Sequence, residues 1–395
     1  MRLVLFAGPG DASTATAATA TLLAARGVKT LVVSADPAGG LADVLGAPFG
    51  PEPNELDTGL TVLQVDPLRA FEWAWGRAGP ALTPLFAAGR PVPGELPVPP
   101  GAAEVLALAE VRNLADTGRY DAIVVDAGPA EHALRMLALP ETLAWYIEQV
   151  APTHLRMLHA AAMPAGAAED LSGVASRVHH ALARLQALLA AGTSSLRLVV
   201  RPDRAGLASL RSTLTRLALL GHQVDGVLAS GVLPAGAATG WAAEEAAAQR
   251  AVLVQLRTAV PGVPVRSLPY RAVAPVGLPE LLDVGTAVYG DDDVLAVPPP
   301  AQLVAVERDG GEYVLRVSLP FVDRAAVRLA RSGDDLVVTV GAARRLLPLP
   351  SGLRRCEAVS ARVADGVLRV RFRPDPDLWP RTSSGGLVMT PQEAR

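Results

Sequence analysis

Residues 1–37 read MRLVLFAGPGDASTATAATATLLAARGVKTLVVSADP. The apolar run Arg2–Ala7 predicts a strand, Gly8-Pro9-Gly10 a turn, and the alanine-rich stretch beyond it a helix that Gly27 ends as its C′ residue. A second strand follows from Thr30. A turn that leaves one strand and opens a helix aims backbone N–H groups at an anion, which is the layout of a phosphate-binding loop. Such a loop normally carries a lysine that reaches the β- and γ-phosphates. The chain has one lysine, Lys29, at the amino end of the second strand. Ligands of open parallel sheets bind beyond the carboxyl ends of strands, so Lys29 is expected on the wrong edge of the sheet.

Working outward, strands are predicted at Arg2–Ala7, Thr30–Ala35, Leu60–Val65, Ala122–Asp126, Leu196–Arg201, Val224–Ser230 and Val263–Leu268. Helical patterns lie between them. The expected fold class is α/β, a mostly parallel sheet with helices on both faces over residues 1–290. The proline-rich stretch Arg90–Gly101 reads as a surface loop. Residues of about 133–190 are helical in pattern, broken at Met163-Pro164-Ala165-Gly166, and are expected to form a helical subdomain. Its Met136, Met157 and Met163 offer an adaptable groove for a client or partner. The competing reading, favoured by how often methionine is buried, is core or interface packing.

Asp291-Asp292-Asp293 and Val297-Pro298-Pro299-Pro300 mark a linker over 291–300. Beyond it the period changes to two, in Tyr313–Val317, Leu336–Val340 and Val367–Phe372, with turns at Arg308–Gly311 and Ser332–Asp335. Residues 301–375 are therefore read as a small antiparallel β-sandwich. Residues 376–395 end without periodicity and are expected to be a disordered tail.

Half of the 395 residues are hydrophobic and the formal net charge is -3. This leaves room for a sizeable core and no electrostatic reason to expect nucleic acid or anionic membrane as a partner. One cysteine, Cys356, excludes an internal disulfide and a C-x-x-C metal site and suits a reducing compartment. The amino-terminal apolar run stops after about six residues, short of a signal peptide. No uncharged apolar stretch approaches the roughly 18 residues of a membrane span. The expected location is the cytoplasm, with no stable membrane anchor.

Further motifs carry a family resemblance. Val33-Ser34-Ala35-Asp36-Pro37-Ala38 with Leu41-Ala42-Asp43 is similar to the switch I sequence D-P-A-H-S-L-S-D. Tyr120–Pro129, YDAIVVDAGP, is similar to the switch II strand Y-D-x-x-x-x-D-T-A-P, and His132, Leu134 and Arg135 continue it. Pro140-Glu141 with Trp145-Tyr146, and Leu233-Pro234, match further positions. On these motifs the first 290 residues or so resemble the ArsA-type P-loop ATPases, which include arsenite-pump ATPases and targeting factors for tail-anchored membrane proteins. The carboxy-terminal sandwich resembles the α-crystallin domain of small heat-shock proteins, with Gly366-Val367-Leu368 in a G-x-L position.

The resemblance implies a nucleotide site. Gly8, Gly10, Ser13 and Thr14 would bind phosphate and Mg²⁺, Asp126 would support the metal's shell, and Asp36 would orient the attacking water. The departures gather at the same place. Against the family's K-G-G-V-G-K-T-T, Ala7 and Ala12 take the two lysine positions. Pro9 removes a backbone donor, and Asp11 adds a negative charge. Ser230 stands at the adenine-contacting asparagine and Gly39 at the switch I histidine. A lysine about 4 Å from a phosphate charge contributes on the order of 4 kcal/mol near a protein surface. Losing two of them, and gaining a carboxylate, outweighs any single N–H bond.

The leading expectation is a family member that has lost ATP hydrolysis, with no cofactor, and with ATP and Mg²⁺ only if the altered site still binds them. In that state Asp36 is expected to cap the following turn, Asp126 to bond nearby loop N–H groups, and His132 to be a buried, hydrogen-bonded histidine. The protein would be a dimeric scaffold, a homodimer or the non-catalytic half of a heterodimer with an active paralogue, binding a hydrophobic protein client. One alternative is an ATPase powering protein targeting or anion extrusion, with replacement charge from Arg135 or from a partner's arginine. The other is a holdase chaperone dominated by the sandwich. His154, His159, His179 and His180 suggest a metal only weakly, since no acidic or thiolate partner completes a ligand set.

Overall fold

Every residue of strand β1 (Arg2–Ala7) is buried, and the first part of the molecule is built outward from it. The computed structural model describes residues 1–376 except 10, 37, 83–90, 163–170, 235, 237–238 and 300–302. The chain divides into two units, Met1–Ala301 and Gln302–Arg395.

In the first unit seven further strands follow: β2 (Thr30–Ser34), β3 (Asn54–Asp57), β4 (Leu60–Gln64), β5 (Ala122–Asp126), β6 (Ser194–Val200), β7 (Val224–Val232) and β8 (Val265–Pro269). They form one sheet in the order β3-β4-β2-β5-β1-β6-β7-β8. All neighbours are parallel except β3, which runs antiparallel to β4 at the edge. The seven expected strands are all present, two with the expected bounds and five with ends shifted by one or two residues. Strand β3 was not expected, because Asn-Glu-Leu-Asp carries no apolar alternation and lies mostly exposed. Lys29 sits at the amino edge as expected, its carbonyl accepting from Asp121 and Ala122 N–H.

The helices are α1 (Asp11–Ala25), α2 (Gly40–Leu45), α3 (Pro67–Leu82), α4 (Ala102–Asp116), α5 (Ala130–Val150), α6 (Thr153–Ala162), α7 (Leu171–Ala190), α8 (Arg204–Leu220), α9 (Trp241–Ala259) and α10 (Leu278–Tyr289). Helices α1, α2 and α10 cover one face of the sheet. Helices α4, α5, α7, α8 and α9 share the core of the other. The amino-terminal half of α5 and the carboxyl half of α7 belong to that core, while much of the rest of α5 and of α6 is exposed.

Helix α1 is buried nearly all round, and its composition follows from that. Its threonines Thr16, Thr19 and Thr21 satisfy their hydroxyls within the helix, on the carbonyls of Ala12, Ala15 and Ala17. Its carboxyl end closes with Gly27 N–H on Ala24 O and Val28 N–H on Leu23 O. That pair of bonds is a Schellman motif, and φ of +82° at Gly27 is what the motif needs. Helix α10 packs against α1 so closely that a Cβ on Gly285 would stand 2.6 Å from Ala18 O and 3.0 Å from Leu22 Cβ.

A charged network is buried under the amino ends of the strands. Arg2 Nη2 donates to Asp225 Oδ2 at 2.8 Å and to Ser195 Oγ at 2.7 Å, and Arg197 Nε to Asp225 Oδ1 at 3.1 Å. Arg197 also donates to Tyr289 Oη at 3.1 Å and to the Val294 carbonyl. Burial holds the Arg2 guanidinium below its ordinary range despite Asp225. Two arginines on one aspartate thus tie β1, β6 and β7 to α10 and the segment after it.

The second unit is a β-sandwich of seven strands: β9 (Val304–Asp309), β10 (Glu312–Ser318), β11 (Val327–Ser332), β12 (Asp335–Val340), β13 (Ala343–Pro348), β14 (Cys356–Ala364) and β15 (Val367–Pro374). One sheet has the order β14-β15-β10-β9 and the other β11-β12-β13. The three strands read from alternation are β10, β12 and β15, whose Leu315, Val317, Val338, Leu368, Val370 and Phe372 are buried. Of the other four, β9, β11 and β14 alternate poorly because they carry exposed residues on both faces.

Among the described residues no helix is long and apolar enough to cross a membrane. Since Gly285 meets backbone, Gly285→Ala is expected to lower stability by about 1–3 kcal/mol through overpacking. Urea unfolding of the full chain followed by far-ultraviolet circular dichroism measures this.

Candidate functional site

The strand order reverses direction at β1, which lies between β5 and β6. The crevice beyond the carboxyl ends there is the expected ligand position of such a sheet. The loop after β1, the start of α1, the end of β5 and the segment after β2 all meet in it.

The loop is held on both sides. Gly8 N–H donates to Gly128 O at 3.0 Å. On the other side a Cβ at Gly8 would come within 2.3 Å of Val199 O in β6, so only glycine fits. Ala12 N–H then bonds Pro9 O at 2.8 Å, closing the turn. Ala7 and Ala12, at the two lysine positions, are 1% and 2% exposed and pack into the two cores. Asp11 opens α1 with an exposed carboxylate, placing an anion where the helix dipole is positive.

Beyond the loop, Ser13 Oγ donates to Asp126 Oδ2 at 2.6 Å, and Gly128 N–H donates to Asp126 Oδ1 at 3.1 Å. Asp36 Oδ1 accepts from Ala38 N–H at 2.9 Å, the turn cap expected of it. Asp36 also rests on Gly128, where a Cβ would lie 2.8 Å from its carboxyl carbon. Gly40 brings the same segment onto Ser13, since a Cβ there would stand 3.3 Å from Ser13 Oγ. The structure therefore gathers Gly8, Ser13, Asp36 and Asp126. Gly10 lies outside the described residues. Burial pushes the Asp126 carboxyl up, with Ser13 and Gly128 pulling it down and Asp36 adding to the rise.

A cavity of about 620 Å³ opens beside the loop, lined by Asp11 and Thr14 and by the carboxyl ends of β6, β7 and β8. Its cations are Arg201, at the end of β6, and Arg271, after β8. Arg201 pairs with Asp203 at 3.4 Å. Ser230 lies on the wall with its hydroxyl buried and unpartnered. Sequence reasoning missed both arginines, although Arg201 ends a predicted strand on the ligand side of the sheet.

Three expectations are corrected. Arg135, the proposed replacement cation, does not line the cavity and stands 3.4 Å from Glu104 of α4. His132 is buried, but its Nε2 has no hydrogen-bond partner and Nδ1 lies 3.8 Å from Glu104. Met136 is fully buried in the core, whereas Met157 is 68% exposed, so they share no groove. Met163 falls outside the described residues. No cluster of metal-ligating residues occurs among the described residues.

These residues fit a bound MgATP poorly. The metal side retains Ser13, Asp36 and Asp126. The phosphate side offers a proline, an N–H already engaged by Gly128, an added carboxylate and two buried alanines.

Residues 1–290 match the family model described as anion-transporting ATPase, and residues 310–372 that of the HSP20-like domain found in ArsA. Protein Rv2184c of Mycobacterium tuberculosis is 35% identical, covering 96% of this chain and 97% of its own. Uncharacterized protein SCO2128 of Streptomyces coelicolor is also 35% identical, covering 96% and 100%. A protein of Chlorobaculum tepidum named "Putative arsenical pump-driving ATPase" is 28% identical, covering 94% and 96%.

Asp126, with an ordinary value of 3.8, holds its proton more tightly folded than unfolded. Its contribution to stability therefore falls as pH rises above that value through the raised one. Asp126→Asn should match the wild type in acid and exceed it in stability at pH 7. Urea midpoints between pH 4 and pH 8 test this, and a mutant less stable at pH 7 contradicts it.

Proposed function

The chain belongs to the anion-transporting ATPase family, and on that premise we propose that it is a member without ATP hydrolysis. It acts in the cytoplasm as a dimeric scaffold for a hydrophobic protein client or partner. The dimer is formed with itself or, as the non-catalytic half, with an active paralogue. The observation that carries this reading is the closed loop after β1. Its Gly8 N–H is spent on Gly128 O, and Ala12 is buried where the main lysine belongs. Asp11 supplies the helix end with an anion from the chain itself.

The client half of the reading is supported by α6, whose polarity is inverted. Arg156 is 5% exposed and bonds the Ala151 carbonyl and Thr153 Oγ1, while Leu155, Met157 and Leu158 face outward. Nearby in the chain, Tyr146 and Val150 of α5 are also exposed. A helix that buries its arginine and exposes its apolar residues suits a surface that another apolar surface covers.

A second reading, a working ATPase, draws on Arg201 and Arg271. They are the cations that line the same cavity as Asp11 and Thr14.

Isothermal titration at low salt separates the two. The scaffold reading expects no binding heat for MgATP or MgADP up to about millimolar nucleotide, weaker than any affinity near 4 kcal/mol. It also expects any residual phosphate release to be unchanged in Asp36→Ala. Micromolar binding that Arg271→Ala abolishes overturns it in favour of the ATPase.

A further inference from the structure

Strand β14 is the edge of its sheet. It pairs with β15 on one side, and no other described strand pairs with it on the other. Residues Glu357 to Arg362 are all exposed, Val359 at 46%. An edge strand of nine residues with these six exposed is a template for a further strand.

The charges along this edge are unevenly settled. On the same sheet Arg371 pairs with Asp309 and Glu312, Arg373 with Glu312, and Arg316 with Glu307. The side chains of Glu357 and Arg362 form no ion pair or hydrogen bond among the described residues. Arg362 moreover lies directly opposite Arg369, a like-charge cross-strand pair that destabilises the sheet.

The bulge in β14 decides what fits. Residues five apart normally point to opposite faces of a strand. The register shift between Ala358 and Ser360 cancels that, because Glu357 pairs with Arg373 and Arg362 with Arg369. Arg373 and Arg369 are four apart on β15, so Glu357 and Arg362 share a face. Arg371, between them on β15, is exposed while Leu368, Val370 and Phe372 are buried. The shared face is therefore the outer one.

We propose that β14 is a self-association surface whose partner is the β14 strand of a second copy of this chain, paired antiparallel about a two-fold axis between Val359 and Ser360. In that register Glu357 faces the second copy's Arg362, and Ala358 faces its Ala361. Each outer row then reads Arg373, Glu357, Arg362, Arg369 across the two copies. The carboxylate of one copy relieves the arginine pair of the other. An isologous contact of this kind closes after two chains. It rests on the self-association proposed above and is independent only of the nucleotide site, which belongs to the other unit.

The test is charge exchange in the full chain, read by sedimentation equilibrium. Glu357→Arg alone, and Arg362→Glu alone, place like charges opposite each other twice and should weaken self-association by about tenfold to a hundredfold. An equimolar mixture of the two variants restores both opposite-charge pairs and should associate like the wild type. That recovery excludes misfolding as the cause of the single-variant losses. A wild type that stays monomeric at about 100 µM, a concentration at which specific interfaces normally form, overturns the proposal. So does a wild-type dimer that neither variant weakens, which would place the dimer contact elsewhere. Single-variant losses that the mixture fails to recover overturn the register and with it the proposal.

Discussion

Helix α1 has almost no solvent face, and much of the first unit follows from that constraint. Squeezed between the sheet and α10, it must be built from alanine and threonine, with hydroxyls bonded back into the helix. Its neighbour must supply glycine at the crossing, as Gly285 does. The same close packing reaches its first turn. Ala12 contributes a methyl group to the core, and Ser13 is tied to Asp126 across the sheet's end. Gly8, in front of α1, is consequently fixed by packing against Val199 on one side and by its hydrogen bond to Gly128 on the other.

Rigid placement of this kind separates two properties that usually travel together. The segments after β2 and β5 are held in place: Asp36 lies against Gly128, and Gly40 lies against Ser13. The charges beside them are an aspartate at the helix start and the arginines that line the cavity. Asp126 is left as a buried carboxyl whose hydrogen bonds come from the chain itself. The architecture is kept by packing, and packing is indifferent to whether a phosphate is present.

Much of this was legible in the residues. The seven strands of the first unit announce themselves because parallel strands buried on both faces are continuous apolar runs. The roles of Asp36 and Asp126 as local caps followed from short polar side chains beside tight turns. What could not be read was set by partners distant in sequence. Strand β3 exists only because β4 offers an edge. Met136 and Met157 look alike in a helical pattern, yet one faces the sheet and the other faces away. Arg135 was named for its place in a motif, while Arg201 and Arg271 reach the cavity through the order of strands. The bulge in β14 leaves no compositional trace, and it alone puts Glu357 and Arg362 on one face.

The buried arginine at the second position has a consequence for how the chain is made. The buried carboxylate partner of Arg2, Asp225, is made 223 residues after it, and the β6 partner of its strand begins only at Ser194. At elongation rates of about 5–20 residues per second, that interval lasts roughly 10–45 s. Throughout it Arg2 lacks its buried carboxylate, and until β6 is made β1 can pair on its β5 side alone. The sheet therefore closes around β1 only once β6 and β7 have been made, long after β1 itself.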